Sequence, residues 1–178
     1  MHLIKRTPDI VTSTAVYTGN KQQGFTLLEV LIALLVLSIG LLGLAALQTT
    51  GLRSNEMASM RTTSTMLAYD ISDRMRANPQ GVLDGDYVID SGPVSGTPTD
   101  CTSNDCTTAQ LALYDLDQWK DAVATLPGGL GDITQTAGPP LTHTITVRWD
   151  ENRTGATGLN CQQVDSDDLR CFRLVFAE

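Results

Sequence analysis

Residues 25–47 read FTLLEVLIALLVLSIGLLGLAAL, and this run decides the fold of the N-terminal part of the chain. Its 23 residues include one charged side chain, Glu29, and the next charge along the chain is Arg53. As a helix rising about 1.5 Å per residue, the run spans roughly 35 Å, enough to cross a bilayer. A helix buried in a soluble core keeps a polar stripe, and this run has none. The pattern therefore predicts a transmembrane helix over residues 25–47.

The residues before the apolar run predict its orientation in a membrane. They include three basic residues and one acidic residue: Lys5, Arg6, Lys21 and Asp9. Because basic flanks stay on the cytoplasmic side, we expect the N-terminus in the cytoplasm and the bulk of the chain outside it. A secretory signal peptide is the alternative. Its apolar run would be shorter and would end at a small-residue cleavage site, which Ala45-Ala46 resembles only weakly.

The four cysteines all follow the apolar run, on the extracytoplasmic side in this orientation. An even number of cysteines in that compartment predicts two disulfides, and four cysteines allow three pairings. Proximity in the sequence favours Cys101–Cys106 and Cys161–Cys171. A zinc site is the alternative, but spacings of four and nine intervening residues fit zinc knuckles poorly, and no histidine is nearby. We therefore expect no metal ligands among them.

The start of the apolar run resembles the class III signal of type IV prepilins and pseudopilins. The segment that carries the resemblance is Gly24-Phe25-Thr26-Leu27-Leu28-Glu29-Val30, with the hydrophobic run following at once. The resemblance implies that a membrane prepilin peptidase cleaves between Gly24 and Phe25 and N-methylates the new amino terminus of Phe25. Residues 1–24 would then be a leader peptide. Its removal takes three of the 12 basic and one of the 20 acidic residues, which leaves a net charge of −10.

Glu29 is a carboxylate near the start of a membrane-spanning helix. Such a group costs on the order of 3 kcal/mol at the bilayer centre and less near a helix end. In a packed filament the carboxylate would be dry and would need a partner. The resemblance implies that this partner is the Phe25 amine of a neighbouring subunit, and that the pair sets the register during assembly. A carboxylate that reaches the interface without a partner is the simpler alternative.

The helix is expected to continue beyond the membrane. From Gln48 to Ala77 there is no proline and one glycine, and Asn78-Pro79 ends the pattern. Apolar residues recur at three- and four-residue steps and predict one packed face: Leu52, Met60, Thr63, Met66, Leu67, Ile71 and Met75. We expect residues 48–78 to pack on a soluble extracytoplasmic head domain formed by residues 79–178.

The head reads as a mixture of loop, one helix and short strands. Residues 80–105 are rich in Gly, Ser, Thr, Pro and Asp and predict a loop, with at most a short strand at Tyr87–Ile89. A capping box at residues 107–110 predicts a helix to about residue 126. A short strand from Ile133 precedes alternating strands at residues 141–149 and 171–176, which we expect to pair. The fold class is therefore α+β and pilin-like, with a long N-terminal helix packed on a small antiparallel sheet.

Within this family the head resembles minor pilins of the PilV kind. The resemblance rests on Cys101…Cys106, Ala109-Gln110-Leu111-Ala112, Tyr114-Asp115, Trp119 and Leu126-Pro127-Gly128-Gly129. It implies a non-catalytic subunit that joins other minor and major pilins in the inner membrane and primes pilus assembly. Twitching motility and adhesion at the cell surface would follow. Major pilins usually carry a proline in the middle of the apolar helix, and the absence of proline between Phe25 and Pro79 favours a minor subunit.

Three other functions are alternatives to a minor pilin. A type II secretion pseudopilin shares the leader and the apolar helix. A DNA-uptake pilin is disfavoured by the net charge, because an acidic chain repels phosphates unless its basic residues cluster. An exposed cluster would restore that reading: Arg148, Arg153, Arg170 and Arg173. An enzyme is disfavoured because no nucleophile motif is present, and His143 lies on the apolar face of a strand. No cofactor is expected.

Two acidic clusters carry oxygen ligands of the kind that calcium accepts. They are Asp84, Asp86 and Asp90 in one loop, and Asp165, Asp167 and Asp168 in another. Neither cluster completes an EF-hand pattern, and solvated turns are the simpler interpretation.

Overall fold

The structure, a computed structural model, describes residues 24–161 and 165–177. The elements in chain order are α1 (Leu27–Ala77), α2 (Pro79–Leu83), α3 (Thr108–Ala124), β1 (Leu130–Thr136), β2 (Thr142–Trp149) and β3 (Arg170–Ala177). The strands form one antiparallel sheet in the order β1-β2-β3. The expected α+β, pilin-like class is confirmed. Most of the expected leader, residues 1–23, lies outside the described residues.

The chain divides into two compact units, residues 1–46 and residues 47–178. We call their described parts the N-terminal unit (residues 24–46) and the C-terminal unit (residues 47–161 and 165–177). The helix α1 contributes to both.

The N-terminal unit begins at a capped helix end. The Thr26 Oγ1 accepts a hydrogen bond from the Glu29 N–H at 3.2 Å, and the Thr26 carbonyl accepts from the Glu29 and Val30 N–H groups. A threonine in this position stabilises a helix start, and Glu29 in the first turn is favoured by the helix dipole. Every residue of this unit is exposed. By length and composition, α1 holds a stretch able to cross a membrane, and none of that stretch is buried within the protein.

In the C-terminal unit, α1 packs through one face. The residues buried on it are Met60, Ser64, Ala68, Ile71, Ser72 and Met75. Two residues expected on this face, Leu52 and Met66, are 70% and 65% exposed, so that part of the prediction is wrong. The apolar pattern missed three short side chains, Ser64, Ala68 and Ser72. These positions are fully buried because small residues let the helix approach its neighbours closely.

Trp119 of α3 lies at the centre of the core. Its side chain is 0% exposed, and its indole Nε1–H donates to the Leu67 carbonyl of α1 at 3.0 Å. Gly131 of β1 leaves room for the ring, because a Cβ there would lie 2.6 Å from the indole. The indole therefore joins the long helix, α3 and the sheet.

Two details of the head differ from expectation. The predicted loop contains α2, whose start is set by Pro79 and by Asn78, the N-cap whose side chain accepts from the Gly81 N–H. The strand allowed at Tyr87–Ile89 reduces to a single bridge between Ile89 and Ile133. That bridge extends the sheet by one residue only. The strand predicted from Ile133 starts earlier, at the first residue of β1.

The two disulfides are Cys101–Cys106 and Cys161–Cys171. They match the pairing that sequence proximity favours among the three possible ones. The second disulfide ties the long β2–β3 connection to the start of β3.

Candidate assembly site

The N-terminal end of α1 presents an apolar surface with one carboxylate. Phe25 is 82% exposed, and Glu29 stands one helical turn away from it. A shallow groove of about 450 Å³ runs along this turn and the next, lined by Phe25, Glu29, Val30, Ala33, Leu34 and Leu37. Within the described residues no hydrogen bond or ion pair reaches the Glu29 carboxylate. The groove is apolar except for the Glu29 carboxylate, so it could bind an apolar helix that carries a positive group.

The C-terminal unit holds a second charged arrangement, where the β2–β3 connection meets α1. The Glu151 carboxylate accepts from Arg61 Nε at 2.7 Å and from Arg170 Nε at 2.9 Å, while its own side chain is 3% exposed. The hydrogen bond and charge of Arg61 lower the pKa of Glu151 against the opposing effect of burial, and Arg170 adds to the lowering. A buried carboxylate is tolerated here because two guanidinium groups hold it.

Two exposed contacts extend this arrangement along the helix. Arg53 donates to the Asn152 side chain at 3.2 Å, and Arg153 pairs with Glu56 at 2.5 Å. We call residues 151–153 and their α1 partners the latch. The latch joins three consecutive loop residues to the part of α1 that follows residue 52.

Asp150 shapes the loop that carries the latch. Its carboxylate accepts from the Gly155 N–H at 2.7 Å and from the Ala156 N–H at 3.3 Å. Burial acts to raise the pKa of Asp150, but backbone hydrogen bonds outweigh it and lower the pKa; they come from Gly155, Thr154, Ala156 and Asn152. The carboxylate is thus occupied by the loop itself.

A buried polar network connects α1, α2, α3 and the segment before the sheet. The Tyr87 hydroxyl donates to Asp115 at 2.7 Å and accepts from the Asn78 amide at 3.3 Å. Arg74 of α1 reaches the other Asp115 oxygen at 3.3 Å. Burial, followed by the hydrogen bond to Asp115, raises the pKa of Tyr87 well above its ordinary value. The network fixes the helices relative to one another within this unit.

Of the four arginines that would favour nucleic-acid binding, Arg148 is buried, whereas Arg153, Arg170 and Arg173 are exposed. Arg148 is 8% exposed, is ion-paired with Asp132, and donates to the Leu159 carbonyl at 3.1 Å. Arg153 pairs with Glu56 of α1, and Arg170 pairs with Glu151. Two of the three exposed arginines, Arg153 and Arg170, are thus neutralised by carboxylates.

Three carboxylates of the acidic clusters accept hydrogen bonds from residues close to them in the sequence, and His143 is buried in the sheet. Asp84 accepts from Gln80, Asp90 from the Gly92 N–H, and Asp168 from the Asp165 N–H. Among the residues that the structure describes, no group of three or more His, Cys, Asp or Glu side chains is placed to hold a metal ion. His143 is fully buried, and its ring stacks on Phe176 with centroids 5.2 Å apart.

Comparison with protein families gives two matches that adjoin along the chain. Residues 19–45 match the family described as Prokaryotic N-terminal methylation motif, and residues 46–117 match the family described as Type IV pilin Tt1218. A search of curated proteins found no match, and neither did a search of solved structures. The two family matches support a type IV pilin that carries a prepilin N-methylation motif. That motif implies processing by a prepilin peptidase and pilin assembly.

Proposed function

We propose that the chain is a type IV pilin and a minor subunit of the pilus, with a structural and not a catalytic role. In this proposal it takes part in the initiation of pilus assembly, and through the pilus in twitching motility and adhesion. Residues 1–24 are the leader, residues 25–47 anchor the prepilin in the inner membrane, and residues 48–78 continue the helix. Residues 79–178 form the periplasmic head before assembly carries the subunit to the cell surface.

The observation that carries the proposal is the surface of the N-terminal unit. Leucine, isoleucine and valine side chains there are exposed by about half or more, which water does not favour. A bilayer, and later the helices of neighbouring subunits, would each cover this surface. The one carboxylate on it then needs a positive partner, because a lone buried charge is strongly unfavourable.

The Phe25 amine of a neighbouring subunit is the partner that we propose for Glu29. Cleavage after Gly24 creates that amine at the helix end where the groove lies. An amine of one subunit and a carboxylate of the next neutralise each other only at one axial offset, so the pair would set the register of assembly. Processing at Gly24 and Phe25 and pairing at Glu29 are thus two steps of one mechanism.

The proposal is tested by mass spectrometry of the native chain in membranes and in sheared surface filaments. We expect a methylated Phe25 terminus in both fractions. Glu29→Gln should keep the processing but lower the filament-to-membrane ratio about tenfold or more, because about 1.4 kcal/mol is enough for a tenfold change. Asp73→Asn, at another exposed carboxylate of α1, is the matched control and should not change this ratio.

Other outcomes point elsewhere. A processed chain that is missing from filaments and co-purifies with a secretion complex would identify a pseudopilin. Cleavage near Ala46, or an intact Met1, would overturn the pilin proposal altogether.

A further inference from the structure

The two edges of the sheet differ in how their backbone groups are used. At the β1 edge, Ile133 exchanges two hydrogen bonds with Ile89, at 3.0 and 2.8 Å. The Lys120 ammonium donates to the Gly131 carbonyl at 2.6 Å, and also to the carbonyls of Asp90 and Gly92. Loop and lysine therefore occupy the Gly131 carbonyl and both outward-facing groups of Ile133. The middle of this edge is closed to another strand.

Within the part of the chain that the structure describes, the β3 edge has no strand beside it. The backbone N–H and C=O of Ile133 point away from β2, towards Ile89. Because these groups alternate sides along an antiparallel ladder, its β2 neighbour Ile145 directs its own N–H and C=O towards Leu174 of β3. The odd-numbered residues of β2 therefore bond to β3. The even-numbered residues of β3 are thus paired, and the odd-numbered ones face outward. The disulfide to Cys161 bounds the Cys171 end. No backbone hydrogen bond from residues 24–161 or 165–177 reaches the remaining outward groups, which belong to Arg173, Val175 and Ala177.

The core is also incomplete beside this edge. The core-facing side chains of β3, Phe172, Leu174 and Phe176, are only half-buried. A groove of about 300 Å³ lies between α1 and the start of β3, lined by Arg61, Ser64, Thr65, Trp149, Arg170, Cys171 and Phe172. The Trp149 indole N–H is buried and has no hydrogen-bond partner among the described residues. A further strand would cover the apolar side chains and bring hydrogen-bond acceptors to this groove.

The charge of the edge defines the partner chemistry. β3 contains Arg170 and Arg173 and no acidic residue. Arg170 is held by Glu151, whereas no carboxylate in the described part of the chain lies within ion-pair distance of Arg173. Arg173 instead lies near Arg148, a like charge. A carboxylate on an added strand, directly opposite Arg173, would relieve this repulsion, as opposite charges do in cross-strand pairs.

We propose that the open edge of β3 binds an extended segment of a different, neighbouring filament subunit, which adds as a fourth strand with an acidic residue opposite Arg173. Long, unprotected edge strands are templates for strand addition, and β3 carries no proline and keeps an unbroken register with β2 over eight residues. The identity of the partner as a filament subunit rests on the proposed function; the strand addition rests on the edge.

The test places a photo-crosslinking benzophenone residue at Val175 of the full-length chain in its native cell envelope, with Thr134 on the closed edge as the control position. Val175 is 58% exposed and Thr134 is also exposed. We expect an adduct at Val175 only, joined to a peptide that contains an acidic residue in another subunit. Arg173→Glu should lower the adduct yield roughly three- to tenfold, and Arg173→Lys should preserve it, because one hydrogen-bonded charge pair is at stake.

A backbone variant tests the strand addition itself. With the benzophenone at position 177, Val175→Pro removes only an outward-facing N–H and leaves the bonds to β2 in place, so the adduct should fall several-fold. Val175→Thr keeps the N–H and should give the full adduct. An equal loss in both variants would overturn the proposal.

The crosslinking result can be distinguished from the test of the proposed function. The processed terminus and the filament fraction are measured on the same samples. An absent adduct overturns the edge proposal even when the chain is processed and present in filaments. An adduct to a second copy, or to residues 162–164 of the same chain, also overturns it. If the expected adduct forms but the chain is not found in filaments, strand addition at β3 is supported and the proposed role in the pilus is contradicted.

Discussion

The two units of the chain use apolar residues in opposite ways. In the N-terminal unit such residues are exposed around the whole helix, for example Leu42 at 72% and Leu35 at 54%. In the C-terminal unit the residues of the core are buried, and charged groups pair around them. The difference shows where each unit obtains its stability. The C-terminal unit is stabilised by its own contacts, whereas the surface of the N-terminal unit requires a membrane or other chains to cover it.

The largest expected loss of stability in the C-terminal unit is for a substitution at Trp119. Replacing Trp119 with Ala should destabilise the C-terminal unit by about 3–5 kcal/mol, because it opens a cavity and removes the bond to Leu67. Chemical unfolding of the full chain in detergent micelles, followed by circular dichroism, measures the change. Leu37→Ala, at a 57%-exposed position of the N-terminal unit, is the matched control and should leave this transition unchanged. An equal loss from Leu37→Ala would show that the comparison is wrong.

The next effect concerns the buried polar network. Tyr87→Phe should destabilise the C-terminal unit by about 2 kcal/mol, because it leaves Asp115 and Asn78 each without one partner. Tyr69→Phe, at a 49%-exposed tyrosine on α1, should change stability little. Because the pKa of Tyr87 is raised, its phenol should remain protonated above the ordinary tyrosine value of about 10, and it should ionise only on unfolding. Phenolate absorbance during an alkaline titration measures this, and early ionisation of Tyr87 would contradict the network.

Local signals made much of this fold predictable from the sequence. The apolar run, the Asn78-Pro79 stop and the capping box at Thr107 each determine the structure within a few residues, and all three appear as expected. Alternation likewise identified β2 and β3. The cysteine pairing followed from proximity, because close neighbours in the chain are close in space.

The parts that the sequence did not reveal depend on distant partners. Ser64, Ala68 and Ser72 carry no hydrophobic signal, and their burial follows from how closely α1 approaches the elements it packs on. The latch joins Arg61 to Glu151 across 90 residues, and no local spacing marks such a pair. β1 begins at Leu130, earlier than predicted, and includes Gly131, whose contact with Trp119 of α3 is not visible in the strand pattern.

A smaller effect tests the buried half of the latch. The pKa of Glu151 is lowered in the folded chain, so its stabilising contribution is present above the ordinary glutamate value of about 4.3 and is lost as the pH falls through the folded value. Glu151→Gln should therefore cost about 1–3 kcal/mol at pH 7, and this difference should shrink towards pH 3. Urea unfolding of both chains across this range measures it. A difference that stays constant with pH would mean that the charge of Glu151 does not stabilise the fold.

The smallest effect is expected in the exposed half of the same latch. Arg153 and Glu56 are 62% and 49% exposed, and water and ions screen such pairs. Arg153→Gln should therefore cost only about 0.2–1 kcal/mol, and the cost should disappear in about 1 M salt, where the screening length is roughly 3 Å. Urea unfolding at low and high salt measures both values. A large, salt-independent loss would show that Arg153 acts through packing and not through its charge. The expected result would locate the strength of the latch at Glu151, where the carboxylate is buried, and leave the exposed pair as a minor contribution to the position of the loop.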